Sequence, residues 1–171
     1  MNGAFIVILF FVVRLSAAAA EPNSLKTKLV VKEGAGVGFE QVSALAAGID
    51  FTNTLGELKG ASNRVLFNGA GVAAGDVDGN GHPDLFFCGL DTPNQLYLNS
   101  GSWKFSPSSI PDSMALPGFP TRGAVLADLN GDQSLDLVMT TVGGGLRLFI
   151  NDGKGRFLEN TVEAGLEGHS G

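Results

Sequence analysis

Apolar positions fall along this chain in two kinds of run. One is continuous: residues 4–13 are all apolar, followed by Arg14-Leu15-Ser16, the alanines Ala17 to Ala20, and Glu21-Pro22. The others are short, at 71–75, 85–88 and 96–98 and again at 123–127, 137–141 and 146–150, separated by stretches rich in Gly, Asp and Asn. Runs of that length between such separators read as buried strands joined by turns. No helical period extends through them.

The short runs repeat. A shift of 52 residues lays Asp128 over Asp76 and holds register without gaps, with Gly71 on Gly123, Leu96 on Leu148, Tyr97 on Phe149, Asn99 on Asn151 and Phe105 on Phe157. Each unit predicts four short strands. The first is built of small residues, which suits strands crowded near an axis. A loop follows, then an apolar second strand, a third strand around Leu96 or Leu148, and a turn at 99–101 or 151–153 into a fourth strand at Phe105 or Phe157. Four antiparallel strands in about 50 residues describe a propeller blade. The predicted fold class is all-β, with blades in an incomplete ring. The expected organisation is a signal peptide at 1–20, an amino-terminal lead at 21–64 with a candidate ring-closing strand, one blade at 65–118, and a second at 119–171 that enters the next repeat.

The loops carry the candidate chemistry. Asp76, Asp78, Asn80 and Asp84 hold positions one, three, five and nine of a nine-residue segment, with His82 at position seven. A hard cation takes six to eight oxygens at roughly 2.3–2.6 Å, and a coiled segment with this alternation offers four side-chain oxygens and the His82 backbone carbonyl. Gly79 and Gly81 supply the positive-φ turns. Position twelve is Phe87, not the Glu of an EF-hand, and an apolar strand follows instead of a helix. The shifted register gives Asp128, Asn130, Asp132, Ser134 and Asp136 the same places. Gln133 stands where the first loop has Gly81, which predicts a strained or altered turn. Two calcium sites are expected, and the alternative for each loop is a metal-free, Asx-rich hairpin turn.

Other segments refine this reading. The phrase at 39–51 is echoed at 157–166, so both are read as blade exits, the first an outer strand lacking its own blade. Residues 28–32 are expected to form a strand and 52–64 a loop. Residues 106–122 hold Pro107, Pro111, Pro117 and Pro120 with Met114, Leu116 and Phe119. They read as a semi-rigid connection packed by its own apolar residues, or alternatively as a partner-binding loop.

The pattern at 67–81, with its partner at 123–137, resembles the FG-GAP/VCBS repeats of integrin-α-type β-propellers. Residues 47–51 and 94–99 resemble more narrowly the cartilage-acidic-protein group that carries an ASPIC/UnbV domain. The resemblance spans roughly 39–171. It implies calcium on Asp76, Asp78, Asn80 and Asp84 and on Asp128, Asn130, Asp132 and Asp136. A two-blade arc leaves sheet edges and apolar faces unpaired, so the chain is expected to be a fragment of a larger propeller.

Composition adds exclusions. A net charge of −6 over 171 residues, with 44% hydrophobic residues and 25 Gly, describes an acidic, turn-rich chain for which nucleic acid is not an expected partner. The run at 4–13 is too short to span a bilayer and precedes small residues, so a cleaved signal is expected, with a secreted, extracellular or periplasmic destination and no membrane attachment afterwards. Cys88 is the single cysteine, so there is no internal disulfide, and it reads as a core residue. His82 and His169 are the only imidazoles, and no zinc spacing or phosphate loop appears. Gly168-His169-Ser170-Gly171 looks like the start of a nucleophile elbow, but it follows a turn rather than a strand. The expected function is therefore an exported calcium-binding module for binding or adhesion, with an extracellular protein or glycan as partner. It is expected not to be an enzyme. The alternative is the propeller portion of a secreted hydrolase or lyase.

Overall fold

The computed structural model describes residues 41–167. The signal segment, the strand expected at 28–32, Phe39 and the 168–171 segment lie outside the described residues.

Two four-stranded antiparallel sheets carry the fold, in the strand orders β1-β2-β3-β4 and β5-β6-β7-β8. The first comprises β1 (Val72–Gly75), β2 (Asp84–Phe87), β3 (Gln95–Asn99) and β4 (Phe105–Pro107). The second comprises β5 (Thr121–Ala127), β6 (Asp136–Thr141), β7 (Gly145–Asn151) and β8 (Phe157–Glu159). Registers repeat with the sequence: Leu85 lies opposite Tyr97 as Leu137 lies opposite Phe149, and Asn99 opposite Phe105 as Asn151 opposite Phe157. These are two propeller-like blades.

The blades meet face to face. Phe86 and Leu96 of the first and Leu137, Met139 and Phe149 of the second are buried in one core cluster. Burial of each such side chain stabilises the fold by roughly 1.5–3 kcal/mol. The small residues of the innermost strands permit close approach: the Gly71 N–H donates to the Arg122 carbonyl at 2.9 Å, and a Cβ at Gly71 would lie 3.2 Å from that oxygen. The Thr121 N–H donates to the Gly89 carbonyl, making a second backbone tie between blades.

The proline-rich stretch packs inward. Helical turn α3 (Asp112–Ala115) delivers Met114 and Leu116 to the core between the blades, while Phe119 stays exposed. Buried Asn94 holds it by donating from Nδ2 to the Met114 carbonyl and to Thr121 Oγ1. Its backbone N–H bonds the Ala115 carbonyl.

Residues 52–64 depart from the expected loop. They include α2 (Glu57–Ser62), and a 3-10 turn follows at Arg64–Asn68. The cause is tertiary: Asp91 accepts from the Gly56 N–H and from Lys59 Nζ, both at 2.6 Å, and so fixes the first turn of α2. Ahead of it, α1 (Ala44–Ala47) ends at Gly48, where Gly48 N–H bonds Leu45 and Ile49 N–H bonds Ala44. Gly165 and Leu166 make the same pair of bonds to Val162 and Thr161. The echoed phrase is thus one repeated turn, and Ala47, Ile49 and Phe51 lie against Tyr97 and Phe87 of the first blade. Among the described residues no helix is long and apolar enough to cross a membrane.

Candidate metal centre

Each loop joins the innermost strand of its blade to the next, and its conformation comes from carboxylates bonding their own backbone. Asp76 Oδ1 accepts from the N–H groups of Gly79 (2.8 Å) and Asn80 (3.1 Å), and Oδ2 from Gly81 (2.7 Å). Asp128 repeats this with Gly131 (2.7 Å), Asp132 (3.2 Å) and Gln133 (2.9 Å). Asp84 and Asp136, both fully buried, close the loops at the strand ends. Asp84 accepts from Val77 at 2.8 Å and Asn99 at 2.7 Å, and Asp136 from Leu129 at 3.0 Å and Asn151 at 2.9 Å.

The middle positions are exchanged between the loops. The first has Asp78 then Asn80, with Asn80 Nδ2 donating to Asp78 Oδ2 at 3.1 Å. The second has Asn130 then Asp132, with Asn130 Nδ2 donating to Asp132 Oδ2 at 2.9 Å. His82 and Ser134 each donate a backbone N–H to the residue two before, at Asn80 Oδ1 and Asp132 Oδ1. The imidazole of His82 lies in the open beside Gly101.

One oxygen from each of Asp76, Asp78 and Asp84 lies within 4.8 Å of the others. Two ligands on the shell of a cation with bonds of 2.3–2.6 Å are at most about 5 Å apart, so this spacing suits a calcium-sized ion. Carboxylate oxygens carry two lone pairs, so those that accept a single amide keep one for a metal. The donor set, all oxygen and anionic, fits a hard cation. Among the described residues, Asp128, Asp132 and Asp136 do not form a second group of three at that spacing.

Electrostatics separate the loops further. Burial raises the pKa of Asp84, and the charges of Asp78 and Asp76 add to this against the amides of Asn99 and Val77. Exposed Asp132 is held low, chiefly by the Ser134 N–H and then by Asn130. Gly81 has φ +86° and Gln133 φ +71°, so the turn expected to be strained keeps its geometry with an L side chain in the left-handed region.

Two residues of the site did not stand out by chemistry. Asn99 and Asn151 close the loops through their N–H groups, and Asn151 Nδ2 also donates to the Val77 carbonyl of the other blade at 2.8 Å. Their alignment at the 52-residue shift was the available signal.

Residues 76–139 match the family model of the FG-GAP-like repeat. The match begins at the first acid of the first loop and ends within β6, so it takes in both loops. No curated protein matches the chain.

Proposed function

We propose that this chain is a calcium-stabilised FG-GAP-type propeller module, exported from the cell, that serves in binding or adhesion to an extracellular protein or glycan. The observation that carries the reading is the convergence of Asp76, Asp78 and Asp84 on one calcium-sized space, within a loop whose hydrogen bonds recur at Asp128, Asn130, Asp132 and Asp136. Asp76, Asp78, Asn80, Asp84 and the His82 carbonyl would hold one ion. Asp128, Asn130, Asp132, Asp136 and the Ser134 carbonyl would hold the other. Bound calcium supplies positive charge where two strands end in clustered acids, and its role is structural. The raised pKa of Asp84 supports this, because a buried anion beside two like charges costs stability that a cation offsets.

Export rests on the apolar run at 4–13 with Ala17 to Ala20, and membership of a larger ring on the repeat itself. The narrower kinship with the ASPIC/UnbV group rests on the phrases at 47–51 and 94–99.

Thermal unfolding with and without calcium tests the role. At calcium ten times the dissociation constant, each site adds roughly 1.4 kcal/mol, and the melting temperature rises accordingly. A melting temperature indifferent to millimolar calcium and to chelator refutes it.

A further inference from the structure

Asn151, buried at the end of β7, touches both loops. Its N–H donates at 2.9 Å to Asp136 Oδ1, the ninth position of the second loop, and its Nδ2 donates at 3.1 Å to the Leu135 carbonyl one residue earlier. The same Nδ2 crosses to the first blade and donates to the Val77 carbonyl at 2.8 Å. Oδ1 accepts from the Gly155 N–H at 3.1 Å, and that N–H also reaches the Val77 carbonyl, at 2.9 Å.

Val77 stands between Asp76 and Asp78, the first and third positions of the first loop. It is tied on every side. Its N–H donates to Asp84 Oδ2 at 2.8 Å, its carbonyl is held from the second blade, and its side chain, 1% exposed, lies in the core cluster with Leu137 and Phe149. Fixing the backbone at Val77 sets the direction in which the Asp76 and Asp78 side chains project, and these converge with Asp84 within 4.8 Å. The second blade also walls one side of Asp78: a Cβ at Gly155 would lie 3.7 Å from Asp78 Cβ and 3.6 Å from Val77 Cγ2.

We propose that Asn151 is a positioning residue for both metal centres and couples them, so that occupation of either loop tightens the other. This rests on the calcium reading above. When the second loop is held by an ion, Asp136 and the Leu135 carbonyl are fixed and fix Asn151. Asn151 in turn fixes Val77, and with it Asp76 and Asp78. The hydrogen bonds form one continuous network from loop to loop, and coupling carried by it is reciprocal. Asn99, the counterpart of Asn151, directs its N–H to Asp84 and its Nδ2 to the Pro83 carbonyl, both in its own loop.

Calcium titration of the full chain followed by amide NMR reads the loops separately, through Gly79 and Gly131, whose N–H groups are bound to Asp76 and Asp128. Asp132→Ala removes an exposed acid of the second loop and is expected to weaken binding in the first loop about fivefold. In Asn151→Ala, first-loop binding is already weakened and adding Asp132→Ala has no further effect. First-loop affinity that Asp132→Ala leaves unchanged overturns the coupling. So does a loss that survives in Asn151→Ala, or one that vanishes in about 1 M salt, where the Debye length is ~3 Å, since either would be Coulombic. Should Asn151→Ala not fold, the Asp132→Ala titrations at low and high salt decide alone. Amide signals in both loops that ignore millimolar calcium overturn the calcium reading and the coupling with it, whereas binding in both loops without coupling overturns the coupling alone.

Discussion

The two blades share a sequence pattern and a hydrogen-bond scheme, yet equivalent residues meet different surroundings. Val77 is sealed by the second blade while Leu129 faces solvent, and Phe86 is fully buried while Val138 is half-buried. Asn151 bonds across the blade boundary and Asn99 does not among the described residues. Asp91 braces α2 where its counterpart Gly143 has no side chain. The difference teaches that a repeat specifies the strand scaffold locally, whereas burial is set by which face has a neighbour.

The largest expected contrast is in the core. Phe86→Ala should cost about 3–5 kcal/mol, since it empties the space between the blades, and Val138→Ala about 1 kcal/mol. Urea denaturation measures both, and equal losses would break the comparison. Next, Asn151→Ala should cost roughly 1–2 kcal/mol more than Asn99→Ala, because it also frees the bonds to the Val77 carbonyl and the Gly155 N–H. The same unfolding assay decides.

A smaller contrast lies in the loops. With Gln133 held at positive φ, Asp76→Ala should lose more calcium affinity than Asp128→Ala by about 1 kcal/mol, roughly fivefold. Gln133→Gly should narrow that gap, and calcium titration of the variants would show it. A larger loss at Asp128 would mean that the turn residue does not rank the sites.

The smallest effect concerns the brace on α2. Lys59 and the Gly56 N–H lower the pKa of Asp91 in the fold, so its contribution is present above the ordinary carboxylate value of 3.8 and is lost as pH falls through the lowered one. Asp91→Asn should remove that pH dependence and speed amide exchange at Gly56 at neutral pH. Unchanged exchange would show that Asp91 does not hold the turn.

Strand positions were legible because separators and apolar runs recur in phase, and a hairpin-connected blade needs only neighbours in sequence. The helix at 57–62 was not, since Leu58-Lys59-Gly60-Ala61 has no strong local signal and its anchor lies at Asp91. The acids of the loops were legible by spacing, but not the closing Asn99 and Asn151, whose roles depend on strand pairing.

Calcium titration of the metal-free chain by calorimetry bears most directly on the central claim. Two sites per chain are predicted, with dissociation constants on the order of 10⁻⁴ to 10⁻³ M, the range of weak oxygen-ligand calcium sites. The first loop should be the tighter of the two. No heat of binding at millimolar calcium would contradict the account.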